Sequence, residues 1–110
     1  MKEDDLVKAI LDGLMKTGWR ACHFRPARTA GGWRTAVQGH VGFPDIIGIH
    51  PVRGIVAIEC KSDKGRLTDE QNAWKQWFES VEDRWPGAVE YRVVRPVDWQ
   101  NGMLDDLFRS

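Results

Sequence analysis

The 110 residues predict one mixed α/β domain with elements in the order α-β-β-β-α-β-α. Three observations carry that expectation. Two stretches, residues 3–17 and 68–85, repeat apolar side chains at helical spacing. Between them, two short β-branched runs, residues 43–49 and 55–60, flank a turn containing Pro51 and Gly54. An alternating run at residues 89–94 follows the second helix and precedes a last helical segment.

The first helix is built on Leu6, Val7, Ile10, Leu11 and Leu14, with Glu3, Asp4 and Asp5 at its positive end and Gly18 as its stop. Residues 19–25 alternate as a first strand. From residue 26 to 39 the apolar pattern fails, and two adjacent glycines with Arg28, Trp33 and Arg34 read as a loop. The runs at 43–49 and 55–60 then read as adjacent antiparallel strands. In the second, Val56, Ile58 and Cys60 take one face while Ala57, Glu59 and Lys61 take the other, so a charged pair interrupts a strand that should be buried.

Thr68 and Gln71 have the spacing of a capping box and open the second helix. Its stripe of Ala73, Trp74, Trp77, Phe78 and Val81 is expected to be core, and Pro86-Gly87 closes it. After the strand at 89–94, Pro96 stops extension. Asp98 is expected to cap a last helix carrying Met103, Leu104, Leu107 and Phe108.

Length fits one domain, residues 1–110, with a single core. An apolar content of 42% and six tryptophans argue against disorder, and no apolar run is long enough to span a membrane. The N-terminus lacks the basic-then-apolar order of a secretory signal, so a soluble cytoplasmic protein is expected. Cys22 and Cys60 lie in strand-like runs as small buried thiols, without the spacing of a zinc site. Net charge is zero. It is nevertheless uneven, because residues 18–53 contain five arginines against Asp45 alone.

Asp45 on one strand and Glu59-x-Lys61 on the next supply what phosphodiester hydrolysis needs: hard oxygen ligands for a divalent cation and a positive group beside the water. Magnesium or manganese suits Asp45 and Glu59, with the Cys60 carbonyl as a third ligand. Lys61 orients the water or stabilises charge, since an unperturbed lysine, at about 10.4, is a poor base at neutral pH. Alone, Glu-x-Lys is common as a cross-strand charge pair and Pro-Asp as the start of a turn. In this order, on adjacent apolar strands, the two fragments reinforce one another.

Gly42-x-Pro44-Asp45 followed by Glu59-x-Lys61 resembles the PD-(D/E)XK nucleases, specifically the virus-type replication-repair nuclease group, VRR-NUC. The segment Gly65-Arg66-Leu67-Thr68-x-x-Gln71-x-x-Trp74 resembles that group too. The resemblance implies a restriction-endonuclease-like core, metal ligation by Asp45 and Glu59, a catalytic role for Lys61 and an active-site place for Gln71, which retains its capping explanation. Glu3 matches the group's first-helix glutamate as a further catalytic and metal-binding acid, with Asp4 as the competing register. It also implies structure-selective cutting of branched DNA such as four-way junctions, by a homodimer needing Mg2+ or Mn2+ and no small-molecule cofactor. His23, Arg25, Arg28 and Arg34, in the basic segment before the catalytic strands, are the expected phosphate contacts. Trp85, Trp99 and the last helix are candidates for the dimer interface, most tryptophans being expected in the core.

Overall fold

The computed structural model describes residues 1–24, 27–29, 32–34 and 37–109. Helix α1 (Glu3–Lys16) forms as its spacing predicts, burying Leu6, Val7, Ile10 and Leu14. Gly13 interrupts neither the helix nor its packing. A Cβ there would come within 2.8 Å of the Phe108 ring, so the missing side chain is the notch into which the C-terminal segment fits.

Strands β1 (Arg20–His23), β4 (Ile46–His50), β5 (Gly54–Cys60) and β6 (Val89–Val94) make a four-stranded sheet in the spatial order β1-β4-β5-β6. β4 runs antiparallel to both β1 and β5, and the tight turn at residues 51–53 permits the β4–β5 hairpin. β5 and β6 are parallel, and helix α2 (Asp69–Arg84) makes the crossover that parallel strands require. The result is a mixed sheet flanked by helices, as the sequence predicts.

Residues 26–39 depart from the loop expected there. β2 (Ala27–Thr29) and β3 (Gly32–Arg34) pair antiparallel as a separate two-stranded sheet, Arg28 opposite Trp33. Strands of three residues are too short for alternation to register in a sequence. β4 also starts later than the run at 43–49 implied, because Pro44 has no N–H to give to a ladder.

Register decides which face each side chain joins. Ile46, Val56, Ile58, Cys60 and Val94 pack with Leu6, Ile10, Leu14, Trp19, Leu104 and Leu107 in one core on the α1 side. Trp19 is anchored there by its indole N–H, which donates to the Leu107 carbonyl at 2.8 Å. The other face carries Ala57, Glu59, Lys61 and Tyr91 beneath α2. Cys60 is buried as expected, whereas Cys22 is exposed, because its parity on β1 turns it away from α1.

The apolar stripe of α2 is not core. No residue of α2 is fully buried; Trp77 is 75% exposed and Val81 is exposed as well. Only Trp74 and Phe78 turn toward the sheet, in an edge-to-face and stacked series from Phe24 through Phe43, Trp74 and Phe78 to Tyr91. The sheet face below them is short of apolar partners because β5 presents Glu59 and Lys61 there.

The last helix is likewise broken in two. Pro96 occupies the first turn of α3 (Pro96–Gln100), residues 101–104 turn, and a 3-10 segment follows at Asp105–Phe108. Asp98 does not precede the helix as a cap; from the first turn its carboxylate accepts the Arg95 N–H at 2.8 Å. Trp99 packs half-buried against Phe108 and the core rather than standing free, while Trp85 is exposed. Of the tryptophans with described side chains, Trp19 alone is fully buried. Among the described residues, no helix is long and apolar enough to cross a membrane.

Candidate active site

Asp45 is delivered by the turn that precedes β4, and Glu59 by the penultimate residue of β5. The register pairs Ile46 with Ile58, so one further step sets Asp45 opposite Glu59. Backbone bonds hold that step: the Asp45 carbonyl accepts the Phe24 N–H at 3.0 Å, and Asp45 Oδ2 accepts the Cys60 N–H at 2.8 Å.

Glu59 is 2% exposed. Its Oε1 accepts from Gln71 Nε2 at 3.1 Å and lies 3.9 Å from Lys61 Nζ. No donor among the described residues reaches its buried Oε2. Burial first, and the charge of the facing Asp45 carboxylate second, push the Glu59 carboxyl up to about 8; Lys61 acts in the opposite direction. Two carboxyl groups in contact, one of them with an oxygen lacking a donor, need either a shared proton or a cation between them. The donor set is hard oxygen, which fits magnesium or manganese rather than a thiolate-loving metal.

Gln71 satisfies both of its expected uses at once. Its backbone N–H donates to Thr68 Oγ1 at 3.1 Å, its Oε1 accepts the Thr68 N–H at 2.9 Å, and its Nε2 remains for Glu59. The capping box therefore aims the amide at the acid. Gly42 lets α2 come close enough for this: its φ is +91°, and a Cβ there would lie 2.8 Å from the Glu70 carbonyl carbon and 2.9 Å from the Gln71 nitrogen.

Lys61 lies just past β5, its N–H donating to the Val94 carbonyl at 3.0 Å and its side chain only 14% exposed. The loop after it is fastened by Arg95, whose guanidinium donates to the Ser62 and Gly65 carbonyls at 2.6 Å each. Sequence reading passed over Arg95. The signal was present in the parallel crossover, since pairing Cys60 with Val94 places residue 95 beside residue 61.

Other expected residues are more loosely gathered. Glu3 is exposed in the first turn of α1; its charge is felt at Glu59 and Cys60, but less than that of Asp45. Among the described residues, no three His, Cys, Asp or Glu side chains converge on one metal position. The Cys60 thiol faces the α1 core, leaving only its backbone for the site. His23 is half-buried on β1. Arg25 falls outside the described residues, and the structure gives Arg28 and Arg34 as backbone positions in β2 and β3, with no description of their side chains.

An α/β core that brings an acid pair, a lysine and a glutamine to one sheet edge defines the class of molecule. The family model of the VRR-NUC domain matches residues 2–95, and the chain belongs to the VRR-NUC family of nucleases. Among solved structures it is similar to a repair endonuclease from Pyrococcus abyssi, 17% identical with a TM-score of 0.46, over 96% of this chain and 43% of that one. It is also similar to a protein of unknown function from Silicibacter pomeroyi, 18% identical with a TM-score of 0.40, over 84% of this chain and 53% of that one. The chain thus spans about half the length of these two structures. Comparison with curated proteins gives no significant match.

Proposed function

We propose that residues 1–110 act as one nuclease domain, a divalent-metal-dependent endonuclease that hydrolyses phosphodiester bonds in branched DNA such as four-way junctions. The observation that carries this reading is the buried Glu59 beside half-buried Asp45, with Glu59 Oε2 free of any donor among the described residues and Lys61 alongside. Asp45, Glu59 and the Cys60 carbonyl would hold Mg2+ or Mn2+. When bound, the ion supplies Lewis-acid chemistry, making water more acidic and offsetting charge on the phosphoryl oxygens.

The chain's own groups do the rest. The Cys60 N–H ties up Asp45 Oδ2, and Gln71 ties up Glu59 Oε1, so each acid is oriented with its other oxygen left for the ion. Lys61 positions the attacking water or balances the charge that develops on the phosphate. Phosphate contacts by His23, Arg25, Arg28 and Arg34 would draw the polyanion to this edge without reading bases. One site per chain serves one strand, so a homodimer with twofold symmetry is the economical way to cut a junction symmetrically.

A labelled four-way junction incubated with purified protein should be cut only when magnesium or manganese is present, and Asp45→Asn should abolish cutting. Undiminished cutting by Asp45→Asn would sink the assignment. A second reading, a catalytically silent DNA-binding or assembly module with the nuclease fold, draws on the lack, among the described residues, of a third convergent acid. Calorimetry separates the two: manganese uptake lost in Asp45→Asn supports the enzyme, and DNA binding without metal uptake supports the silent module.

A further inference from the structure

A cavity of about 730 Å3 opens between residues 39–41 and the first turns of α2. Its walls are Trp74, Trp77, Ala73, Val41, His40 and Glu70, and among the described residues no lysine or arginine lines it. Resting on the proposal that Asp45 and Glu59 cut DNA, we infer that this cavity receives an unpaired nucleobase of the substrate strand, stacked on the Trp77 indole, close to the scissile phosphate.

Continuity with the acid pair is the first argument. Both walls of the cavity lead directly into it: Val41 stands four residues before Asp45, and Glu70 immediately precedes Gln71, which bonds Glu59. Along α2, six residues separate Gln71 from Trp77. At about 1.5 Å of rise and about 100° of turn per residue, Trp77 stands about 9 Å farther along the axis and about 120° round the helix from Gln71.

The second argument is charge. A phosphate entering the cavity would meet the Glu70 carboxylate and, among the described residues, no lysine or arginine. A base would offer an apolar face to the indoles and a ring-edge N–H or amino group to the carboxylate. Its size lies within the usual range of small-ligand pockets, about 300–1,000 Å3.

The third argument is division of labour between the two indoles. Trp74 is fixed, its N–H donating to the Val41 carbonyl at 2.8 Å and its ring packed on Phe43. Trp77, one turn along the helix, is 75% exposed and carries no packing role in the core. An exposed indole beside a rigid apolar wall is a stacking platform. A paired base inside a duplex cannot reach it, so the cavity would favour DNA with unstacked positions, as at a junction or flap.

The test is a binding measurement in chelator, so it does not depend on cutting. The probe is a duplex interrupted by a short unpaired stretch, with a fluorescent adenine analogue scanned through the unpaired positions and an abasic residue substituted at each. For one position, the abasic residue should weaken binding about tenfold, Trp77→Ala should weaken it about tenfold, and the two together should cost no more than either alone. Quenching of the analogue should be greatest there and be lost in Trp77→Ala.

Additive losses at every position would overturn the inference. So would loss of binding accompanied by a shift from dimer to monomer on sedimentation, which would assign Trp77 to a contact between two copies. If instead Asp45→Asn leaves cutting intact while the abasic coupling holds, it is the nuclease-site assignment that fails and not base binding.

Discussion

Glu59 occupies a strand position that its neighbours would leave apolar, and its titration follows from that placement. With its carboxyl raised to about 8 by burial and by Asp45, the folded metal-free chain keeps a proton that the unfolded chain releases near 4.5. Stability from this group is complete below about 4.5 and is lost as pH rises through about 8, at about 1.4 kcal/mol for each unit of difference. In chelator, Tm should therefore fall between about pH 5 and about pH 8. Glu59→Gln should flatten that slope and raise Tm at the alkaline end, because the amide needs no proton. Manganese should do the opposite of chelator, raising Tm more at pH 8 than at pH 6, since the ion takes the proton's place. A Tm that rises with pH in chelator would contradict the raised carboxyl.

At the scale of elements, the site depends on how closely the turn before β4 approaches the start of α2. Gly42 governs that approach through its positive φ and its missing Cβ. Gly42→Ala combines a left-handed backbone penalty of about 1–2 kcal/mol with overpacking of about 1–3 kcal/mol. Denaturant unfolding should register a loss of about 2–5 kcal/mol, and kcat should drop because Gln71 is pushed off Glu59. Thr68→Ala is the milder companion. Losing the cap costs about 1 kcal/mol, and kcat should suffer less than in Gly42→Ala, since the Gln71 amide keeps its position over the acid.

For the whole molecule, zero net charge conceals a basic segment at residues 18–53 that is balanced by acid elsewhere. If four phosphates are neutralised, the plot of log K against log salt should have a slope of about −3.6, and raising salt fourfold should weaken DNA binding about a hundredfold. A slope near zero, read by fluorescence anisotropy in chelator, would remove the electrostatic footprint. The face shared by α2 and the outer half of the sheet leaves Ile49, Ile55, Val81 and Trp85 exposed, which supports pairing of two copies.

Helices, strands and their order were legible in the sequence because apolar periodicity is a local property; the capping box and Asp45, Glu59 and Lys61 were found in the same way. Most of its errors concern faces; two concern elements, the β2–β3 hairpin and the last helix, which is broken in two. The α2 stripe reads as core at residues 73, 74, 77, 78 and 81, yet the docking angle on β6 divides it, sending Trp74 and Phe78 to the sheet and Trp77 outward. Cys22 was misplaced because strand parity turns it away from α1, and the β2–β3 hairpin escaped because three residues show no period. The sequence by itself therefore determined the α/β order and the candidate residues of the site. Only the tertiary structure decided that Asp45 faces Glu59, that Gln71 caps and reaches the acid together, and that Arg95 fastens the loop after Lys61. Strand register and helix docking join residues distant in the chain, and no local pattern encodes the distance between them.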